Sequence, residues 1–450
     1  MVRIFMDFNT VSFDRRTLLA HVSGAAAAAA VWPATAVLAQ TPRPRLPLKL
    51  SPATLRLKDD GVETPVWAFD TPTPPVPRFR RGDEVQAVIT NDLPLRAGVT
   101  WRGLGGGPAA RAVLPPAIAP GETTSQRLAL RNGGTYFFDA RLPLDAAAGG
   151  ATMRPLPSGA FVVTEQKPPQ TDRDEVLLVE EWRLRDDGVL ALPGIAGDAP
   201  KAIYTVNGKT SADIAVHANE RIRLRFINGC QRAAIAFKIE GHEAVVMAID
   251  SAPAEPFPAR DGRLILAPGT RIDVFVDAVR PPGSVSPILL HDGTTPRSIA
   301  RLVYTPEPPV RDAPLPTPAP LDASDLPRHL DLRGALRSEL TLSDAAAHGW
   351  SAPATLGKTP AFKVRRGRTV ILKLTNHDAA PNVFRIHGHH VRLLDRLDDG
   401  WKPFWLDTLL LDAGQSQLVA FAANYPGAWL MEMMRPDWSA PVRAHWFAVE

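Results

Sequence analysis

The 450-residue chain contains one cysteine, Cys230, so no internal disulfide can form even in an oxidising compartment. It also lacks long runs of one charge. Its 51 basic and 47 acidic residues are scattered and sum to +4, which leaves no electrostatic footprint for nucleic acid or an anionic membrane. After the first forty residues no apolar run reaches the length of a membrane span. No G-x-S-x-G elbow occurs. The glycine-rich RGLGGGP (102–108) has neither the spacing nor the following helix of a phosphate cradle.

What the chain has in excess is proline: 45 residues, about twice average usage, together with 32 glycines. Such punctuation opposes a helical bundle and predicts many short strands joined by turns. The class is all-β.

The N-terminus reads Asp14-Arg15-Arg16-Thr17-Leu18-Leu19, then a mild alanine-rich run, then Val37-Leu38-Ala39. Paired arginines, a weakly apolar segment and small residues at a cleavage position predict a twin-arginine export signal over 1–39, processed after Ala39. The mature chain is then periplasmic and free of any integral span. An uncleaved anchor or an irregular arm is the competing reading.

Proline-rich breaks at 167–174 and 306–327 divide the remainder into blocks 45–165, 175–305 and 328–450. The second break, with eight prolines, predicts an extended, semi-rigid linker over 306–327. Each block repeats one phrase: FRRGDEVQAVITN (79–91), VHANERIRLRFIN (216–228) and VRRGRTVILKLTN (364–376). Period-2 alternation in all three suits a half-buried strand. A second phrase recurs as IAPGETTSQRLAL (118–130), LAPGTRIDVFVDA (266–278) and LDAGQSQLVAFAA (411–423). Three copies of one Greek-key β-sandwich follow, with few helices.

With IYTVNGK (203–209), GHEAVVMAID (241–250), RIHGHH (385–390) and PGAW (426–429), the chain resembles the multicopper oxidase family of tandem, plastocyanin-like cupredoxin domains, which includes laccases. The resemblance covers about 400 residues. It implies a blue copper in the third domain and a trinuclear cluster between the first and third, copper being the family cofactor. Carried over position by position, the former trinuclear-site positions are Thr100, Arg102, Asp139, Arg141, Arg385, His387, Glu432 and Met434. The former blue-copper positions are Asn382, Met433 and Trp438. Of eleven histidine and cysteine positions only His387 keeps its ligand, and Glu432-Met433-Met434 stands where the family reads His-Cys-His. Arginine offers no lone pair, and a thioether does not replace a thiolate. The expectation is that no metal and no cofactor bind at the family sites, and no catalytic residue is assigned.

Strand alternation directs Glu432 and Met434 toward the old trinuclear position and Met433 into the third domain. Three guanidinium groups against two carboxylates then predict an ion-pair network joining the first and third domains, with one positive charge left over that can alternatively recruit an anion. On the same reading His387 and His389 share a strand face and His390 lies opposite. His387 is a hydrogen-bonded relic, while Met431, Met433 and Met434 are core before they are a copper site. Cys230 is a small buried side chain and His242 serves a turn. His217 and His348 are surface or loop residues, His445 adds a soft donor near the histidine cluster, and Asp395, Asp398 and Asp399 belong to a solvated turn before Gly400.

Three classes of function remain. One is a non-catalytic periplasmic scaffold with a protein partner, similar to the FtsP/SufI-like members of the family, whose resemblance implies cell division. A second is a copper-dependent, laccase-like oxidoreductase. A third is a periplasmic copper-binding protein.

Overall fold

The three repeated phrases become three equivalent strands in the computed structural model, Glu84–Asn91, Arg221–Asn228 and Thr369–Asn376. The structure describes residues 43–58, 61–70, 76–106, 116–142, 153–195, 197, 200–343, 349–394 and 404–450. The twin-arginine segment, His348 and the Asp395–Gly400 turn lie outside these residues.

Each of the three strands pairs antiparallel with the strand grown from the second phrase, Thr123–Ala129, Arg271–Asp277 and Ser416–Ala422 respectively. On its other edge it pairs parallel with Arg45–Arg56, Arg173–Arg183 or Leu336–Leu342. A second sheet lies opposite in every block. There too a parallel pair recurs: Arg78–Arg80 with Ser158–Thr164, Ala212–Val216 with Arg297–Tyr304, and Lys363–Val364 with Arg443–Val449. Six sheets thus make three cupredoxin-like sandwiches, since parallel neighbours require crossovers between sheets. Among the described residues helix is confined to short 3-10 turns such as Arg260–Gly262 and Pro353–Thr355. None is long and apolar enough to cross a membrane.

The phrases repeat because one turn and one corner are built three times. Gly82, Asn219 and Gly367 hold the same turn at φ +96°, +62° and +80°, a region open to glycine and tolerated by asparagine. At the other end the buried Asn91, Asn228 and Asn376 fasten the corner. Their Nδ2 groups donate to backbone carbonyls: Asn91 to Leu95 and Ile118, Asn228 to Ala233 and Leu266, and Asn376 to Ala380, Leu411 and Asp412. Each Oδ1 accepts the backbone N–H two residues on, at 3.1, 2.9 and 3.0 Å. A buried amide is tolerated only when its bonds are made, so asparagine closes every copy.

Two sequence expectations change. Alternation in RIRLRFIN predicted a half-buried strand, yet every residue of Arg221–Asn228 is buried. Apolar side chains face the second core, while Arg223 and Arg225 turn toward the first sandwich, meeting its Glu165 and Thr135 together with Asp273 and Asp174 of the neighbouring strands. Periodicity cannot separate water from a buried polar interface. The segment 306–327 is irregular but packed rather than a free spacer. Arg221 donates to Leu315 O, Arg311 pairs with Asp172, Lys167 N–H donates to Asp322, and Leu321 packs beside Met247 and Phe275.

Candidate functional site: an arginine-carboxylate junction

Two antiparallel strand pairs bring the junction together. In the first sandwich Gly98–Arg102 runs against Gly134–Arg141 with Thr100 opposite Asp139. Tyr136, Phe138 and Ala140 enter the core, so Asp139 and Arg141 leave by the other face. In the third sandwich Asn382–Ile386 runs against Gly427–Met434 with Arg385 opposite Glu432. Met431 and Met433 enter that core, which turns Glu432 and Met434 outward toward the first sandwich.

Glu432 is the hub. Arg141 grips it with two parallel bonds, Nη1 to Oε1 at 2.8 Å and Nη2 to Oε2 at 3.2 Å. The His387 Nε2–H donates to Oε2 at 3.0 Å. Arg102 and Arg385 approach the same oxygen at 3.5 Å each. Asp139 takes the remaining positive charge, from Arg141 at 3.0 Å and Arg102 at 3.4 Å, and accepts the Thr100 hydroxyl. Arg385 also donates through Nε to Pro268 O at 3.1 Å, which carries the network into the second sandwich.

The electrostatics follow from burial. Desolvation would raise both carboxyls, but Arg141 and His387 hold Glu432 well below the usual range. Likewise Arg141, Arg102 and Arg385 bring Asp139 down to about 2. Burial lowers His387 despite the pull of Glu432, so its ring is neutral at pH 7. Burial and the neighbouring Arg102 push Arg385 down to about 9, still protonated at neutral pH. Three guanidinium groups thus face two carboxylates.

The other predicted positions are dispersed. Met434 packs with Ala267, Val383 and Leu410. Asn382 donates to Asn376 at 2.8 Å and Asp378 at 2.9 Å. Met433 is enclosed in the third core, whereas Trp438 lies under the Arg183 guanidinium, 5.2 Å from the ring centroid, at the second sandwich. The histidine expectation needs correction. The strand ends at Ile386 and the chain turns at Gly388 with φ +69°, so the three rings reach three places. His387 joins the junction. His389 sits in an aromatic box of Phe421, Tyr425, Trp429 and Phe447, and burial pushes it down to about 3. His390 bonds Asp250 O at 2.8 Å. His242 does serve a turn, between Glu240 O and the Tyr304 hydroxyl. Cys230 is buried in the second core.

A second buried junction was not anticipated. Asp407 of the third sandwich receives Arg271 of the second at 2.8 and 3.0 Å and the Gly103 N–H of the first at 3.1 Å. Asp250 completes it by accepting the backbone N–H groups of Asp407, Thr408 and Arg271. Burial would raise both acids, and the close Arg271 guanidinium holds Asp407 down. One signal was available: Arg271 opens its strand where the other two copies have Thr123 and Ser416.

Family models described as multicopper oxidase match residues 145–285 and 329–433, together more than half of the sequence. The chain belongs to the multicopper oxidase family. The protein is 24% identical over 437 residues to the multicopper oxidase MmcO of Mycobacterium tuberculosis, covering 84% of this chain and 82% of that protein. It is 29% identical over 229 residues to rice Laccase-6, 45% of this chain but only 38% of the laccase. In structure it resembles a multicopper oxidase from Pseudomonas thermotolerans, with a TM-score of 0.76 at 22% identity over 90% of this chain and 99% of that one. Aquifex aeolicus McoA superposes with a TM-score of 0.70 at 17% identity over 90% and 96%. These two likenesses establish the fold.

The matches correct the expectation that no cofactor belongs with this chain. Its relatives are multicopper oxidases, so copper is the cofactor that family membership brings. The donor set at the junction does not fit a three-copper cluster. Protonated guanidinium groups have no lone pair to offer, Glu432 is already consumed by Arg141 and His387, and among the described residues no three His, Cys, Asp or Glu side chains converge as a metal set.

Proposed function

We propose that this multicopper oxidase family member works as a non-catalytic scaffold, exported by the twin-arginine route to the periplasm, where it holds a protein partner. The observation that carries this reading is the bidentate Arg141–Glu432 pair, backed by Arg102, Arg385 and His387, at the positions the family gives to imidazoles. Charge pairing there ties the first sandwich to the third, a mechanical role otherwise given to a shared metal cluster. Similarity to FtsP/SufI-like members supplies the process, cell division. Filamentation of a deletion strain under envelope stress is the expected phenotype, and normal cell length would remove that assignment.

Family membership favours a second reading, a copper-dependent, laccase-like oxidase. One assay separates the two. Full-length protein loaded with copper is mixed with a phenolic substrate while dissolved oxygen is followed. The scaffold reading expects no oxygen uptake above a copper-only blank and no intense thiolate-to-copper absorbance. Turnover that scales with bound copper would replace it. A copper-storage role draws least support, because Met431 and Met433 lie inside the third core while Met434 packs separately against Ala267 and Val383.

A further inference from the structure

Beside the junction lies a cavity of about 400 Å³, in the size range of small-molecule sites. It runs from the exposed Ile195 and Ala354 to the buried Cys230 and Met434, and most of its wall is apolar. Its charged lining is unbalanced: Arg141, Arg154, Arg232 and Arg385 against Asp139 and Glu432.

The two carboxylates are committed to Arg141, Arg102 and Arg385. Arg232 is different. It is 9% exposed, and its Nε and Nη1 donate to the carbonyls of Ala440 and Gln231, both at 2.9 Å. Among the described residues no carboxylate pairs with it and its Nη2 has no acceptor. Arg154 on the same wall also has no ion-pair partner among the described residues. Glu432 and Glu181 attract it only from beyond contact distance, and a guanidinium nine-tenths buried with neutral carbonyls as its bonded partners is retained at a cost unless something anionic meets it.

From this we infer that the cavity is a binding site for a small amphipathic carboxylate, its acid group on the Arg232 Nη2 face and its apolar body along Leu192, Leu156 and Met434. Apolar walls select the body, while the surplus of cations selects the acid over an alcohol or an amine. No copper participates, so the site stands or falls separately from oxidase turnover.

The test uses the full chain and three ten-carbon probes, decanoate, 1-decanol and decylammonium, titrated by calorimetry, with inorganic phosphate as a headgroup control. Decanoate is expected to bind one to one and about ten-fold or more tighter than the other three. Arg232→Ala should weaken decanoate about ten-fold, while Arg232→Lys, which keeps the charge, recovers most of it. Should R232A lose its native circular dichroism, Ala354→Trp carries the test, since it narrows the mouth from an exposed position and is expected to reduce decanoate binding. Equal binding of decanoate and decanol, phosphate binding as tight as decanoate, or decanoate binding unchanged in every folded variant would overturn the assignment.

Discussion

At the scale of single residues, Glu432 is the side chain on which most depends. It meets four cationic or hydrogen-bonding partners while only 2% exposed. Glu432→Ala would leave Asp139 alone to face three guanidinium groups in a buried site and Arg385 with no carboxylate, and such losses cost about 3–5 kcal/mol. The expected outcome is a drop of that size in unfolding free energy by urea denaturation; an unchanged midpoint would show that the network does not hold the sandwiches. Asp139 gives a pH signature. Its folded value, near 2, lies below the roughly 3.9 of an unfolded aspartate. The unfolded chain therefore binds the proton first, so the stabilisation is present above about pH 4 and disappears as pH falls toward 2. Its side chain is 20% exposed, and the contribution is about 2 kcal/mol. Melting temperature from pH 6 to pH 2 should fall more steeply for the native chain than for Asp139→Asn, and parallel curves would exclude the linkage.

At the scale of elements, the corner asparagines and one glycine decide how strands end. Asn376 donates to three carbonyls, Ala380, Leu411 and Asp412, and accepts the Asp378 N–H. Asn376→Ala leaves those buried groups without partners, at about 1–3 kcal/mol for a desolvated group. A fall of that order is expected on chemical denaturation, and Asn376→Gln, one methylene longer, should not restore it. Gly388 sets the RIHGHH turn. A Cβ there would meet the Trp429 ring, and the left-handed backbone strains any other residue. Gly388→Ala should displace His389 from its aromatic box, read as a changed tryptophan emission and a lowered melting temperature.

The repeated phrases made these elements legible beforehand. Alternation within the phrases found the strands. The direction of Arg223 and Arg225 was not legible, because an arginine row facing water and one facing Glu165, Asp273 and Asp174 have the same period. Nor was the parting of His387, His389 and His390, since it depends on where the strand stops.

At the scale of the whole molecule, the two junctions join the three sandwiches. Asp407 touches all of them through Arg271, Gly103 and its own chain. The glycine run 103–106 makes the approach feasible: a Cβ at Gly103 would strike Ser251, and one at Gly105 or Gly106 would strike Tyr425. Asp407→Ala should therefore loosen the assembly more than any one sandwich. Scanning calorimetry is expected to show a single transition in the native chain and separated transitions in the variant. A single shifted peak would mean that the sandwiches unfold together without this acid.

By itself the sequence determined the all-β class, the threefold repetition and the family, because these are properties of spacing and residue type. Only the tertiary structure decided that Arg141 and Glu432 meet, that Asp407 binds Arg271, and that Arg232 faces a cavity beside them. Residues 291 apart in the chain, as Arg141 and Glu432 are, become partners through the packing of whole sandwiches, and no local pattern encodes that distance.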